Sequence, residues 1–154
     1  MNTLTVESPR ELLAHVGKEL GPSEWFTVEQ AQIDRFADAT GDHQWIHVDV
    51  ARAAREMPGG KTIAHGFLTL ALVPRMAATL LHVTRRSRGI NYGSNKVRFT
   101  NTVPVGSRVR LRVQMLSCED RGGGFQITNQ CTIEVENETR PACVAEIVSL
   151  IFPA

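Results

Sequence analysis

The chain has 154 residues, of which 42% are hydrophobic, and this is enough for one domain of ordinary size with a substantial core. Its formal net charge of +1 argues against nucleic acid or an anionic membrane as the main partner. The three cysteines (Cys118, Cys131 and Cys143) are widely spaced without a Cys-x-x-Cys pair, so neither a disulfide framework nor a zinc ribbon is expected.

The N-terminal part of the chain is predicted to begin with a helix. Ser8 and Glu11 have the spacing of a capping box, and Pro9 stands at the first helical position. The helix is expected to end near Gly21, so that residues 1–24 form an N-terminal helical extension of a single domain spanning 1–154.

Two further helices are predicted before residue 60. Thr27 and Gln30 repeat the capping-box spacing, and the apolar stripe that follows ends at Gly41. Asp49 is placed to cap a short helix that runs to Glu56.

The apolar segment after Gly66 predicts a long central helix that reaches Leu81 and is kinked at Pro74. This helix is apolar on nearly every side, so other structure must surround it. Beyond Arg85 the hydrophobic period changes to two, which is typical of antiparallel strands with one wet face. Strands are predicted within residues 97–99, 109–113, 127–135 and 142–152, with turns at 122–124 and 136–138. The predicted fold class is α+β, an antiparallel sheet wrapped around one long helix.

No targeting or membrane segment is predicted. Residues 1–10 lack the basic and apolar regions of a secretion signal. The most apolar stretch, residues 67–83, is interrupted by Pro74 and Arg75 and is too short to span a bilayer. A cytoplasmic location is therefore the expectation.

One motif contains residues suited to catalysis. After the turn-forming Gly41, Asp42 and His47 present a carboxylate and an imidazole five positions apart, and Gly66 opens the central helix. A positioned carboxylate and imidazole suit general acid–base catalysis, and a backbone N–H at a helix start suits an oxyanion. No metal site is expected, because Gly41 makes a continuous helix through His43 and His47 improbable and no third ligand has useful spacing.

These segments resemble the MaoC-like, R-specific enoyl-CoA hydratase family, and within it the nodulation protein N branch. The resemblance is carried by residues 40–47, 63–67, 91–93, 96–99 and 103–106. It implies a hot-dog fold and a homodimer whose site lies between protomers. The implied reaction is reversible addition of water to a trans-2-enoyl thioester, giving the 3R-hydroxyacyl thioester. The acyl group is carried by coenzyme A or by acyl carrier protein, and no cofactor is expected.

The resemblance also assigns residues. Asp42 and His47 match the family's catalytic pair, and Gly66 matches its oxyanion donor; which of the pair delivers the proton to carbon stays open. Gln44 and His65 are expected to orient the loop or to contact substrate.

The chain departs from the family pattern at three places. Gln44 and Trp45 replace asparagine and proline, and Pro74 lies in the helical stretch where some relatives carry a serine.

Two other functions compete with hydration. A thioesterase on the same kind of fold would use a carboxylate to direct water to the thioester carbonyl. A non-catalytic acyl-thioester binding subunit would keep the pocket without the pair. Asp42 and His47 together argue against the binding subunit, and their spacing after Gly41 favours the hydratase over the thioesterase.

Overall fold

The computed structural model describes all residues from 1 to 154. Its helices are a 3-10 helix at Pro9–His15, α1 at Gln30–Thr40, α2 at Trp45–Val48, α3 at Val50–Glu56, a 3-10 turn at Pro58–Gly60, α4 at Gly66–Ala71 and α5 at Val73–Ala77. Its strands are β1 at Leu4–Val6, β2 at Glu19–Leu20, β3 at Phe26–Thr27, β4 at Leu81–Val83, β5 at Arg86–Arg98, β6 at Arg108–Arg121, β7 at Gly124–Val135 and β8 at Cys143–Pro153.

The main sheet is antiparallel throughout and has the strand order β2-β6-β7-β8-β5, with β3 also paired to β6. The predicted turn between β6 and β7 is confirmed, because Gly122 and Gly123 both have positive φ there. A separate parallel pair joins β1 to β4. The predicted α+β architecture is confirmed, and β5 forms a free edge of the sheet.

The core lies between the inner face of the sheet and the segments α4 and α5. Alternate residues of β6 are buried, as the period of two predicts, while its arginines lie on the other face. The apolar cluster that joins helices to sheet includes Leu68, Leu72, Val73, Met76, Leu80, Val109, Leu111 and Ile133. This packing holds the start of α4 at one end of the sheet.

The central helix is shorter than predicted. It breaks at Leu72 and ends at Ala77, and Leu81–Val83 forms a strand instead of its last turn. Pro74 has no backbone N–H to bond the preceding turn, so the helix divides just before it. The hydrophobic period alone did not indicate that the chain leaves the helix to pair with β1.

The prediction for the first helix is correct at its start and wrong at its end. Ser8 and Glu11 form the expected capping box, but the helix is a 3-10 helix of seven residues. Gly17, at a φ of 89°, donates its N–H to the carbonyl of Met115 at 2.7 Å. This contact draws the chain onto the sheet, so the residues before Gly21 form β2.

The predicted cap of α1 is wrong. Thr27 is a residue of β3 and pairs with Arg108, and Glu29 stands at the N-cap without a side-chain capping bond. Strand pairing with β6 has taken Thr27 out of the helix. The Asp49 cap is confirmed, because its carboxylate accepts the backbone N–H of Arg52 at 2.9 Å.

The strand β5 begins eleven residues before the predicted start at 97. Its first part contains polar residues and glycines, so the sequence shows no clear alternation there. Almost the whole strand is exposed. No helix of the structure combines the length and the apolar character needed to cross a bilayer.

Candidate active site

The end of α1 and the short helix α2 place the predicted pair. Gly41 closes α1 in the left-handed conformation, with a φ of 81°, and donates its N–H to the carbonyl of Ala37 at 2.8 Å. The chain then turns through Asp42 as a loop and re-enters a single helical turn that carries His47. Asp42 is exposed, whereas only 7% of His47 is exposed.

One hydrogen bond determines the protonation pattern of His47. Its Nδ1 lies 2.7 Å from the backbone carbonyl of Ile63, which can only accept, so Nδ1 carries the hydrogen of the neutral ring. The Nε2 atom therefore keeps its lone pair and can accept a proton. Burial lowers the pKa of His47 below its ordinary value of 6.5, although the Ile63 bond opposes the effect, and the neighbouring His65 lowers it further.

The lowered pKa of His47 predicts a pH profile. The neutral ring is the form that accepts a proton, so the acidic limb of kcat/KM is expected below pH 6.5, the ordinary imidazole value. The unfolded chain binds this proton at a higher pH than the folded chain, so the folded state also loses stability as the pH falls below 6.5. The measurement is kcat/KM of the wild-type protein between pH 5 and 8. An acidic limb at or above 6.5 would contradict the assignment of His47 as the base.

His65 connects the two predicted residues. It is 3% exposed, and its ring stacks on that of His47 with centroids 3.9 Å apart. Its Nε2 donates to the backbone carbonyl of Asp42 at 2.9 Å, so Nδ1 carries a lone pair, and that buried atom has no hydrogen-bond partner. His65 thus contacts both the Asp42 loop and the His47 ring.

Asp42, His47 and His65 form one cluster, with one ligand-type atom of each lying within 4.8 Å of the others. The spacing of His43 and His47 had indicated no third ligand. In the structure His43 lies outside this cluster and bonds Asp38, and the fold brings Asp42 and His65 to His47 instead. Two imidazoles and a carboxylate can hold a divalent cation. A water molecule, which has two hydrogens, can also donate to two of these acceptors at once.

Gly66 lies beside the cluster at the start of α4. A cavity of about 400 Å³ contains both His47 and Gly66 in its wall, together with Phe99. The N–H of Gly66 belongs to the first helical turn and has no partner within the helix. A Cβ at this position would lie 2.9 Å from the Phe99 ring, so the close approach requires glycine.

Sequence reasoning missed Gln30 as a part of the site. Its side-chain amide donates to the backbone carbonyl of His47 at 2.8 Å and to Asp34, and its oxygen accepts from Thr62. Gln30 therefore ties α1 to the helical turn that carries His47. The capping-box spacing predicted only a place for Gln30 in the first turn of a helix. No local pattern indicated its bond to the distant His47 backbone.

Two of the three positions that depart from the family pattern, Gln44 and Trp45, lie next to the Asp42 loop, and the third, Pro74, lies in α5. Gln44 is exposed, and its backbone N–H lies 3.4 Å from the Asp42 carboxylate. The ring of Trp45 is covered by the guanidinium of Arg52 at 4.0 Å. The loop is thus stabilised by a backbone contact at one end and a cation–π contact at the other.

A second cavity of about 260 Å³ lies between α5 and the inner face of the sheet. Its wall is mostly apolar, and Val73, Pro74 and Ala77 form the helical side. Residues from β5, β7 and β8 form the sheet side.

The chain matches the family model described as MaoC like domain over residues 11–138, and it belongs to this family of MaoC-like dehydratases. It is 52% identical over 145 residues to 3-hydroxyacyl-thioester dehydratase Z of Mycobacterium tuberculosis, covering 94% of this chain and 95% of that protein. It is 49% identical over 140 residues to Nodulation protein N of Rhizobium leguminosarum bv. viciae, covering 90% and 87% respectively.

The solved structures confirm the predicted hot-dog fold. The unliganded R-hydratase PhaJ1 from Pseudomonas aeruginosa superposes with a TM-score of 0.71 at 22% identity, covering 90% of this chain and 83% of that chain. The family is one of lyase-type enzymes, and the predicted family membership is confirmed.

Proposed function

We propose that this protein is an R-specific enoyl-thioester hydratase that also catalyses the reverse dehydration of 3R-hydroxyacyl thioesters. The observation that carries the proposal is the cluster of Asp42, His47 and His65 within 4.8 Å, beside the start of α4. The 52% identical relative is a 3-hydroxyacyl-thioester dehydratase, which supports the same reaction class.

The proposed first step uses the lone pair on His47 Nε2. One water molecule donates one hydrogen to Nε2 and the other to the Asp42 carboxylate. His47 takes the proton while the water oxygen forms a bond to C3 of the enoyl thioester. The electron pair of the C2–C3 double bond moves toward C2, and negative charge develops on the thioester oxygen. The N–H of Gly66 donates to this oxygen, where the start of a helix also favours negative charge.

The second step returns the proton. His47, now an imidazolium, delivers its proton to C2, the electron pair returns from the oxygen, and neutral His47 is regenerated. The Asp42 carboxylate stabilises the imidazolium between the two steps. His65 acts as a positioning residue, because it holds the Asp42 backbone and the face of the His47 ring.

The apolar cavity beside α5 is proposed to receive the acyl chain of an acyl-CoA substrate. Its volume is about 260 Å³. At about 30 Å³ for a water-sized group, this volume corresponds to roughly nine such groups. Acyl chains of medium length are therefore proposed as the preferred substrates.

A homodimer is proposed on the evidence of the exposed edge. Strand β5 presents an unpaired edge along almost its whole length, and Tyr92 on it is 54% exposed. Phe67, 70% exposed, stacks edge-on against Phe99 next to the first cavity. Exposed aromatic groups beside an open sheet edge favour a second copy at this face.

The expected mass in solution is twice the 17.0 kDa of one chain at micromolar concentration, because pairing through β5 covers both the open edge and the aromatic groups. Multi-angle light scattering after gel filtration measures this mass. A single species with the mass of one chain would contradict the dimer.

The stereochemistry tests the proposed function. Purified protein is incubated separately with (3R)- and (3S)-hydroxybutyryl-CoA, and formation of the conjugated enoyl thioester is followed by absorbance. Dehydration of the 3R substrate alone is expected. Equal rates for both substrates, or dehydration of the 3S substrate alone, would contradict R-specificity.

A further inference from the structure

The cavity beside α5 has polar groups on its sheet side. Asn91, Asn129 and Ser149 line it among apolar neighbours such as Ile127 and Ile147. The Oδ1 atom of Asn129 is buried and has no hydrogen-bond partner in the protein. A buried carbonyl oxygen without a partner is rare, because it has lost its water without receiving a replacement.

The strand register places these polar groups side by side. Asn91 of β5 stands opposite Ser149 of β8, and Ser149 stands opposite Ile127 of β7. Asn129 is two residues from Ile127 on the same strand, and therefore on the same face. Together Asn91, Ser149 and Asn129 form a polar stripe across the inner face of the sheet.

We propose that this polar stripe recognises a hydroxyl group on the acyl chain of the substrate, with Asn129 Oδ1 accepting its hydrogen. The proposal rests on the proposed function, which places an acyl chain in this cavity. The partnerless atom is an acceptor, so it requires a donor such as a hydroxyl, which a plain methylene does not provide. The stripe itself is neutral and offers a carboxylate no opposite charge, and the one charged residue of the cavity wall, Arg86, is exposed.

This hydroxyl is distinct from the one formed in the reaction. The reacting carbons lie beside Gly66, whereas the cavity is lined by α5, which starts seven residues later. At helical rise this corresponds to about 10 Å along the helix. The recognised hydroxyl is therefore a second substituent, further along the chain than C3.

The test is calorimetric binding of dodecanoyl-CoA, whose chain is long enough to reach the stripe, and of its singly hydroxylated isomers, with the hydroxyl beyond C3, to the intact protein. At least one isomer is expected to bind about tenfold more tightly than dodecanoyl-CoA, as one added hydrogen bond allows. Asn129→Leu should remove this preference while binding dodecanoyl-CoA at least as well as the wild type. Gln130→Leu is the matched control, because it also replaces a side-chain amide by leucine, but at the next residue, which lies outside the cavity wall. It should retain the preference.

Three results would overturn the proposal. One is equal binding of dodecanoyl-CoA and every isomer by the wild type. Another is an unchanged preference in Asn129→Leu, or in Asn129→Ala if the leucine variant does not fold. A third is tightest binding of a carboxyl-terminated chain that is lost in Arg86→Gln. The ligands are saturated and do not react, so a failure to hydrate crotonyl-CoA contradicts the proposed function without deciding this binding result.

Discussion

Replacement of Asp42 by asparagine is expected to lower the hydration rate of a trans-2-enoyl-CoA at least about a hundredfold, with the fold retained. The amide has the shape of the carboxylate but no negative charge, so it accepts the hydrogen bond of the water more weakly and cannot stabilise an imidazolium. Asp42 is exposed and its carboxylate has only a 3.4 Å contact with the Gln44 backbone, so little stability depends on it. The measurements are kcat with saturating substrate and the midpoint of thermal unfolding.

Asp38→Asn is the matched control for this variant. Asp38 is also an exposed carboxylate near the end of α1, and it bonds His43 rather than the cluster. Asp38→Asn should retain the wild-type rate within about twofold, as a substitution remote from the chemistry does. Wild-type turnover in Asp42→Asn would remove Asp42 from the mechanism.

Replacement of His47 by glutamine is expected to lower the same rate by at least about a hundredfold. Glutamine can still donate an N–H toward the Ile63 carbonyl, but it has no basic lone pair to receive the proton of water. Because His47 is buried, the variant is also checked for folding by circular dichroism and thermal unfolding.

His43→Gln is the control here, since the exposed ring of His43 bonds Asp38 at 2.9 Å and takes no part in the cluster. It should leave both kcat and KM unchanged. If a folded His47→Gln protein turns over substrate as fast as His43→Gln, the proposed base is wrong.

The sequence predicted the parts of the site that are local in the chain. Gly41 ends α1 where the apolar stripe ends, and this turn is the reason that Asp42 begins a loop. Asp42, His47 and Gly66 then fall around one end of the sheet, as the resemblance implied. Their catalytic roles stay predictions.

The parts that depend on contacts between distant segments were not predictable. Gln30 bonds the backbone of His47, seventeen positions away, and His65 bonds that of Asp42, twenty-three positions away. Nothing in the local pattern distinguishes Gln30 from an ordinary helix residue. The resemblance had singled out His65 as a residue that orients the loop or contacts substrate, but it did not give its bond to the Asp42 backbone. A single sequence therefore identified the pair and His65 but not Gln30.

The fold, like the site, was predictable where the sequence pattern is local and was missed where no such pattern exists. Alternating burial along β6 was evident from its sequence, because one face is apolar and the other is arginine-rich. In the structure the arginines of that face pair with glutamates. These pairs are Arg108 with Glu136 and Arg110 and Arg112 with Glu134. Strand β5 was missed over most of its length because an exposed edge needs no apolar alternation.

The most direct test of the proposed hydration is to follow crotonyl-CoA with two simultaneous readouts, the absorbance of the conjugated enoyl thioester and the release of free thiol. With the wild-type protein the absorbance is expected to fall without any release of thiol. With Asp42→Asn the absorbance is expected to fall far more slowly, again without release of thiol. Thiol release by the wild type would contradict the hydratase and indicate a thioesterase. Absence of both signals, with crotonyl-CoA and with a longer enoyl-CoA, would contradict catalysis and favour an acyl-thioester binding protein.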